Sequence, residues 1–183
     1  MFKFVKTEID GVYIIEPQVY NDDRGYFYEV YKKSIFDQNN LAINFVQDNE
    51  SKSKKGVLRG LHFQKKHPQA KLVRVVEGEV FDVAVDLRKN SPTYGKWVGV
   101  VLSSNNKKMF LIPKGFAHGF ICLSETATFS YKCDEYYHPE DEGGVLWNDP
   151  DIGIKWPNHI QIYLSEKDKN NPTLKELKME FDL

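Results

Sequence analysis

The stretch GVLRGLHFQKKHPQAKLVRVVEGEV, residues Gly56–Val80, holds two short apolar runs on either side of a polar loop. Side chains alternate between the two faces of a β-strand. In the first run this alternation places Leu61 and Phe63 on one face, and His62 and Gln64 on the other. The stretch therefore predicts two strands, the first of which presents an imidazole and an amide on the same face.

The second run ends in a turn signal. Glu77 and Gly78 fit a two-residue hairpin turn because glycine readily adopts a positive φ. With that turn Val73 lies opposite Asp82, and Lys71 lies diagonal to it, within reach of a long side chain. We therefore expect a hairpin in which the Asp82 carboxylate holds the Lys71 ammonium in salt-bridge reach, near the histidine of the first run.

The same stretch resembles the metal-binding motif of the cupins, a superfamily of small jelly-roll barrels. The positions that match are Gly56, His62, Gly78 and the segment Pro113–His118. Two ligand positions of that motif differ here, because Gln64 stands in place of the second histidine and Lys71 in place of the glutamate. A protonated lysine has no lone pair for a metal ion. The resemblance implies a jelly-roll site in which an ammonium group has replaced the metal.

Length and composition restrict the class of protein. The 183 residues suffice for one domain with a proper core. A formal net charge of −1 and a pI of about 6.5 indicate neither nucleic acid nor a membrane as a partner. We expect neither a signal peptide nor a transmembrane helix, because no apolar run is long enough. Cys122 and Cys133 lie in apolar runs, so we expect two reduced core thiols in a cytoplasmic protein.

Alternating runs separated by turn residues predict mostly strands. Beside the first run above, the predicted strands include Gly11–Tyr20, Tyr26–Tyr31, Val80–Leu87, Trp97–Leu102, Met109–Ile112, and Gly119–Leu123 with Thr126–Cys133 as a hairpin. Short helices are expected at Lys33–Asn40, capped by Ser34, and at Thr173–Leu183, where Thr173 and Glu176 form a capping box. This pattern indicates an all-β, cupin-type jelly-roll sandwich or barrel in one domain, residues 1–183, with a few short helices including a C-terminal one.

The predicted hairpin Lys71–Leu87 is apolar on both faces. One face holds Val73, Val75, Val80 and Ala84, and the other holds Leu72, Val76, Phe81, Val83, Val85 and Leu87. A sheet with one solvated face would show polar residues on that face. We therefore expect the outer face to be covered, and a two-fold homodimer is the simplest cover.

Six motifs in order along the chain resemble one family. They are DRGYFYE (Asp23–Glu29), FVQDNES (Phe45–Ser51), VLRGLHFQ (Val57–Gln64), PKGFAHGF (Pro113–Phe120), YKCDEYYHPEDEGGVLWND (Tyr131–Asp149) and LSEKD (Leu164–Asp168). Each motif alone is modest, but the six in sequence are specific to the dTDP-4-dehydrorhamnose 3,5-epimerase family. The resemblance extends over nearly the whole chain, from about Gly11 to Asp168.

The resemblance implies an isomerase of dTDP-L-rhamnose biosynthesis. Its substrate is dTDP-4-dehydro-6-deoxy-D-glucose, which is inverted at C3 and C5 to dTDP-4-dehydro-L-rhamnose. Both carbons flank the C4 ketone, so a base removes a proton, an enolate forms, and an acid returns a proton to the other face. Such chemistry requires a base, an acid across the ring and a cation near the enolate oxygen. It requires no metal or redox cofactor, and we expect none.

The resemblance also implies the catalytic roles. His62 is the base, and its unperturbed pKa near neutrality suits that task. Asp168 orients the imidazole as the second member of a dyad, although Ser165 and Asp168 also fit a helix capping box, which the sequence alone favours. Tyr131 is the acid on the opposite face; without the family it would be one more strand tyrosine. Lys71 stabilises the enolate oxygen.

Ten positions match substrate contacts of the family, namely Arg24, Glu29, Gln47, Asp48, Asn49, Arg59, Lys71, His118, Glu142 and Lys167. Arg59 and His118 correspond to diphosphate contacts, and an arginine can bind a phosphate with two parallel hydrogen bonds. Structural alternatives stay open at this point. Arg59 also fits a surface ion pair, His118 a former metal ligand, and Glu142 and Lys167 solvated loop charges.

The N-terminal arm is expected to act on another subunit. In the family this arm reaches the neighbouring subunit, so the resemblance implies that residues 1–50 exchange across a homodimer. Arg24 and Glu29 would then serve the partner's site. The alternative is that Asp23–Gly25 is a plain hairpin turn.

Other functions stay open on the sequence. A single epimerase acting at C3 or C5 would differ only in how the acid and the sugar are placed. Gln64 and Lys71 argue against a metal-dependent cupin, such as a dioxygenase. A non-catalytic module that binds nucleotide sugars or carbohydrates would bind without moving protons. Neither the order of the two inversions nor the preferred nucleotide follows from the sequence.

Overall fold

Short β-strands dominate the computed structural model, which describes residues 1–177 and 181. The elements in chain order are β1 (Phe2–Lys6), β2 (Tyr13–Pro17), β3 (Tyr20–Asp22), β4 (Gly25–Phe27), α1 (Lys33–Gln38), β5 (Gln47–Lys54), β6 (Leu58–Gln64), β7 (Lys71–Glu77), β8 (Glu79–Asp86), β9 (Trp97–Ser103), β10 (Met109–Ile112), β11 (Phe116–Cys122), β12 (Thr126–Cys133), β13 (Glu142–Gly144) and α2 (Glu166–Lys169). A 3₁₀ turn at Pro139–Asp141 precedes β13.

Two antiparallel sheets face each other. One has six strands in the order β1-β2-β10-β7-β12-β5, and the other has five in the order β13-β6-β11-β8-β9. Alternation along β12 turns Phe129 inward, where it packs between the sheets with Val75, Phe110 and Phe120. The prediction of an all-β jelly-roll sandwich is confirmed.

The chain itself covers much of the outer faces of both sheets. Leu72 packs in a cluster with Phe36 of α1 and with partly buried side chains of residues 30–45. On the other sheet Val83 and Val85 pack with Ile152 and with side chains further toward the C-terminus. The expectation that the outer face is covered is confirmed, but the chain itself supplies much of the cover, so this observation no longer argues for a second subunit. Local periodicity shows that a face is covered but does not identify what covers it.

The predicted β7–β8 hairpin is also wrong. The two strands belong to different sheets, and Val73 pairs with Phe110 and Tyr131 rather than with Asp82. Gly78 makes the crossing with φ of 80°, and a Cβ there would lie 2.1 Å from the Thr126 carbonyl oxygen. A glycine turn ends a strand in the same way whether the next strand pairs with it or crosses to the opposite sheet.

The predicted hairpin of the strands before and after Ser124 is wrong for the same reason. β11 pairs with β6 and β8, whereas β12 pairs with β5 and β7. β11 also begins earlier than predicted, at Phe116, so that His118 lies within a strand. The ends predicted for β10 and β12 are confirmed.

The N-terminal elements are shorter than predicted. The run Gly11–Tyr20 contains β2 and the first residue of β3, and the run Tyr26–Tyr31 is a strand only as far as Phe27. Helix α1 has Lys32 rather than Ser34 at its N-cap and makes no side-chain cap hydrogen bond.

The C-terminal part contains α2 and, after it, the predicted capping box. The Thr173 backbone N–H donates to Glu176 Oε2 over 2.9 Å, and the Glu176 N–H donates to Thr173 Oγ1 over 3.3 Å. The predicted helix Thr173–Leu183 is wrong in its described part, where residues 174–176 form a turn and Phe181 makes an isolated β-bridge with Arg88. Residues 178–180, 182 and 183 lie outside the described residues. None of the described helices is long and apolar enough to cross a membrane.

Candidate active site

A cleft of about 520 Å³ opens between the two sheets. The side chains that line it include His62, Lys71, His118, Tyr131 and Asp168. These residues come from four strands and from α2, so only the folded chain brings them together. A second cleft of about 530 Å³, lined by Asp48, Arg74, Lys132 and others, contains no imidazole. We therefore take the first cleft as the candidate active site.

His62 and Asp168 form the predicted dyad. His62 lies on β6, and its Nε2 is 2.5 Å from Asp168 Oδ1 on α2. The backbone N–H of Gly60 approaches the other carboxylate oxygen at 3.5 Å. Nδ1 of His62 makes no hydrogen bond to any described residue and is available for chemistry, and the imidazole remains partly exposed to the cleft.

The capping box at Asp168 forms as well. The Asp168 backbone N–H donates to Ser165 Oγ over 3.1 Å, so the cap and the dyad use different atoms of the same residue. Burial by itself would raise the pKa of Asp168, but the hydrogen bonds from His62 and Ser165 hold that pKa below its usual range. The carboxylate is therefore ionised at neutral pH and can stabilise a protonated imidazole.

Lys71 is the first residue of β7 and points into the cleft. Its ammonium forms no ion pair with any described carboxylate within 4.0 Å. In the register between β7 and β12, the backbone of Lys71 lies opposite Cys133. Burial lowers the pKa of Lys71, although the charges of Asp82 and Glu142 act in the opposite direction. A desolvated ammonium with no ion-pair partner in the described part of the chain is available to a ligand.

Asp82 binds His118 rather than Lys71, which corrects the prediction from the hairpin. His118 Nε2 lies 2.9 Å and 3.1 Å from the two Asp82 carboxylate oxygens, and both side chains are buried. Burial raises the pKa of Asp82, and the neighbouring imidazole counteracts that rise in part. The physical reason for the error is that β8 pairs with β11, the strand of His118, and not with β7.

Tyr131 lies on the opposite sheet from His62. It is on β12 of the six-stranded sheet, whereas His62 is on β6 of the five-stranded sheet, and both line the cleft. Burial raises the pKa of the Tyr131 phenol, so the group is protonated at neutral pH. Phe120 and Phe129, stacked with ring centroids 4.1 Å apart, add an aromatic surface beside it.

Arg59, Glu142 and Lys167 lie at or near the cleft. Arg59 Nε donates to Ser53 Oγ over 3.0 Å, and its guanidinium also reaches the Lys52 carbonyl oxygen. The ammonium of Lys167 lies 2.5 Å from Glu142 Oε2. Burial would raise the pKa of Glu142, but the hydrogen bonds from Lys167 and Tyr137 lower it. The structural alternative for Arg59, a surface ion pair, does not form among the described residues.

Other predicted contacts lie at the rim or away from the cleft. Gln47 and Asn49 are joined by a hydrogen bond of 2.9 Å, from Gln47 Nε2 to Asn49 Oδ1. Asp48 binds Lys132 and lines the second cleft.

Two further predicted contacts lie in the N-terminal arm. Arg24 lies in the exposed β3–β4 turn and pairs with Asp22 at 2.6 Å, and Glu29 pairs with Lys32 at 3.3 Å. Neither Arg24 nor Glu29 lines the candidate active site of its own chain.

The sequence reasoning missed several residues. Ser51, Phe120, Phe129 and Tyr163 line the cleft without having been singled out. Tyr137, whose hydroxyl donates to Glu142 Oε2 over 2.9 Å, was also missed. The only available signal was that Ser51, Phe120 and Tyr137 belong to the family motifs. Without them an aromatic residue in a β-rich chain is taken as core.

The side chains do not fit the metal site of the cupin motif. His62 Nε2 is bound to Asp168, and the amide of Gln64 is bound to backbone groups. Among the residues that the structure describes, no three His, Cys, Asp or Glu side chains lie together as a metal-binding group.

The fold and the cleft define a class of jelly-roll proteins equipped for proton transfer by an imidazole, a phenol and an ammonium. Comparison with known proteins identifies the family. The sequence model of dTDP-4-dehydrorhamnose 3,5-epimerases matches residues 6–176. The chain belongs to the dTDP-4-dehydrorhamnose 3,5-epimerase family.

Individual relatives agree with this membership. The chain is 59% identical over 177 residues to the dTDP-4-dehydrorhamnose 3,5-epimerase of Methanothermobacter thermautotrophicus, which covers 96% of both chains. A 3,5-epimerase from Legionella pneumophila, solved in complex with dTDP-4-keto-L-rhamnose, is similar with a TM-score of 0.94 and 51% identity over 97% of this chain and 95% of that one. A 3′-monoepimerase from Streptomyces bikiniensis, solved with dTDP-quinovose, has a TM-score of 0.88 and 35% identity over 93% and 87% of the chains.

Proposed function

We propose that this chain converts dTDP-4-dehydro-6-deoxy-D-glucose to dTDP-4-dehydro-L-rhamnose by inverting C3 and C5. The observation that supports this function best is that the His62–Asp168 dyad and the Tyr131 phenol lie on opposite walls of one cleft. The same cleft contains the Lys71 ammonium, which forms no ion pair with the residues that the structure describes. An inversion needs a base and an acid on opposite faces of the sugar ring.

The proton transfers follow from the available atoms. Nδ1 of His62 takes the proton from C3 or C5, and the electrons of the broken C–H bond form an enolate at the C4 ketone. Asp168 stabilises the resulting imidazolium through Nε2. The Tyr131 hydroxyl then delivers a proton to the same carbon from the other face, and the C4 carbonyl re-forms. After each inversion the dyad carries one extra proton and the phenol lacks one. Proton exchange with water returns both groups to their starting states.

Lys71 stabilises the enolate in this mechanism. Its ammonium is desolvated and has no ion-pair partner among the described residues, so its full charge acts on the developing oxyanion at C4. The bound substrate supplies the partner that the protein does not. Arg59, His118 and Lys167 line the same cleft, which favours a diphosphate bound beside the sugar.

We further propose that the enzyme works as a homodimer in which the N-terminal arm, residues 1–50, exchanges through its exposed β3–β4 hairpin, since β2 pairs with β10 and Phe36 packs on Leu72 of the same chain. The β3–β4 hairpin pairs with no other described strand, and its side chains Tyr20, Tyr26 and Phe27 are 58%, 57% and 67% exposed. Among the strands that the structure describes, β5 at the rim of the cleft pairs with β12 alone. An aromatic hairpin and an unpaired strand edge are surfaces that a second copy can cover. Arg24 and Glu29 would then bind substrate in the partner's cleft.

A complementation experiment tests the exchange. Arg24→Ala and His62→Gln chains, co-expressed with different tags, yield mixed dimers that can be purified. With the arm exchanged, one site of each mixed dimer has an intact His62 and an intact partner Arg24. We therefore expect about half of the wild-type kcat/KM per dimer, against strongly reduced activity of either homodimer. A mixed dimer no more active than the two variants, or a protein that is monomeric during turnover, would rule out the exchange.

Solvent deuterium exchange tests the epimerase itself. In D2O the protein is incubated with dTDP-4-dehydro-6-deoxy-D-glucose, and the sugar is followed by NMR. We expect deuterium at both C3 and C5 together with formation of the L-rhamno product. Exchange at one carbon would instead indicate a single epimerase, the activity of the S. bikiniensis relative. Binding of the nucleotide sugar without exchange at either carbon would contradict an epimerase.

A further inference from the structure

The segment from the end of β12 to the first residue of β13, residues 134–142, crosses from one sheet to the other near the cleft; we call it the strap. It contains Tyr137 and Glu142. The Tyr137 hydroxyl donates to Glu142 Oε2, and that carboxylate binds Lys167 next to the dyad. The strap thus positions a phenol and a carboxylate at the edge of the candidate active site.

Gln64 binds the backbone of the strap. Its side chain is 4% exposed, and its Nε2 donates to the Tyr136 carbonyl oxygen over 3.0 Å. The same Nε2 donates to the His67 carbonyl oxygen over 2.8 Å, and Oε1 accepts from the His138 backbone N–H over 2.7 Å. One amide therefore holds the strap on both sides of Tyr137 and ties it to the β6–β7 loop.

Only an amide satisfies these partners. Two of the three are carbonyl oxygens, which need a donor, and the third is an N–H group, which needs an acceptor. A glutamate would offer acceptors alone and would face two carbonyl oxygens. A methionine would fill the volume but leave the buried backbone groups unpaired.

Other side chains also hold the strap, among them Gln47, whose Oε1 accepts from the Tyr137 backbone N–H over 2.9 Å. Gln69 makes one hydrogen bond, from Nε2 to the Glu135 carbonyl oxygen at 2.8 Å. Asp141 accepts from the backbone N–H groups of Lys66 and His67. Gln64 differs from these because it binds the residues on both sides of Tyr137 from a fully buried position on the strand of the base, His62.

We propose that Gln64 is a positioning residue that presets the strap for nucleotide-sugar binding, at the position where the cupin motif has a metal ligand. It acts through Tyr137 and Glu142 on affinity and leaves proton transfer at His62 unchanged. The proposal rests on the proposed function for its substrate, while its structural basis is the hydrogen bonding of one side chain.

Steady-state kinetics and dTDP binding by calorimetry test this role on Gln64→Glu and Gln64→Met. We expect KM and the dTDP dissociation constant each to rise about tenfold, with kcat within about threefold of wild type, because binding must first order the loosened strap. Gln69→Met, which removes a single bond to the same strap, is the matched control and changes KM and the dTDP dissociation constant by less than about twofold.

The kinetic and binding results distinguish a positioning role of Gln64 from a catalytic or a merely structural one. A fall in kcat at constant KM, or unchanged dTDP affinity in both Gln64 variants, overturns the proposal. Thermal unfolding identifies a variant that is merely unstable, and whichever of the two Gln64 variants remains folded then decides the outcome. If the wild-type enzyme did not turn over the sugar, the proposed function would fail, whereas the effect of Gln64 on dTDP affinity would still be measured.

Discussion

Replacing His62 with glutamine is expected to abolish deuterium exchange at C3 and C5 while the fold is retained. Glutamine can place its Nε2 near that of the histidine, so the hydrogen bond to Asp168 survives, but no basic nitrogen remains at the position of Nδ1. Loss of the general base lowers kcat by about 10²–10⁴-fold. Exchange rates measured by NMR at both carbons test this expectation.

The control for this variant is His159→Gln, because His159 is exposed on the surface and lies outside the cleft. It is expected to exchange at the wild-type rate. A His62→Gln protein that still exchanged one carbon at the wild-type rate would mean that another group is the base for that carbon.

The His62–Asp168 dyad also makes the free energy of unfolding depend on pH. The pKa of Asp168 is lowered in the folded state, so its contribution to the free energy of unfolding is fully present above the ordinary carboxylate pKa of about 4. That contribution is lost as the pH falls through the lowered folded value. The His62→Gln chain retains part of it, since the amide still donates a hydrogen bond to the carboxylate.

Replacing Lys71 with methionine is expected to lower activity and raise stability together. Removal of the cation at the enolate oxygen lowers kcat by about 10²–10³-fold. The free energy of unfolding rises by about 1–3 kcal/mol, because a desolvated ammonium with no ion-pair partner among the described residues is exchanged for an apolar side chain of similar length. Urea unfolding at pH 7 and steady-state kinetics measure the two effects.

The pH profile distinguishes this account from a general loss of structure. Burial lowers the pKa of Lys71, so between the folded value and the ordinary value of about 10.5 the unfolded chain binds more protons. Wild-type stability therefore rises with pH in that interval, and activity falls as the ammonium is lost. The methionine variant lacks this rise in stability.

A surface lysine provides the matched control for Lys71→Met. Lys108 pairs with Glu16 at 3.1 Å on the surface, and Lys108→Met is expected to change both kcat and stability little. A Lys71→Met enzyme with wild-type kcat, or one much less stable than wild type, would contradict the role assigned to the ammonium.

Strand positions were predictable where alternation and turn residues agreed. Met109–Ile112 and Thr126–Cys133 were assigned with their ends correct, because each run alternates or is apolar throughout and is bounded by turn residues. The pairing of the strands was not predictable in this way. A glycine turn such as Gly78 ends a strand without indicating whether the next strand joins the same sheet.

The active-site residues divide in a similar way. The motif frame singled out His62 and Lys71, which are close in sequence, and both lie in the cleft. Without the family, Asp168 would have been assigned only a helix cap, because 106 residues separate it from His62. Gln64 was noticed as a missing metal ligand, but two of its three hydrogen bonds go to Tyr136 and His138, which are distant in sequence.

The sequence by itself determined the all-β class, most strand positions, the family and the candidate base and cation, because periodicity, turn residues and ordered motifs are local properties of the chain. The tertiary structure alone decided that Asp82 binds His118, that the chain covers much of its own sheets, and that Gln64 holds the strap. The physical reason is that a buried polar group must find its partner among whatever the fold brings next to it. Which neighbours those are depends on the sheet to which each strand is assigned, and that assignment is a property of the whole chain.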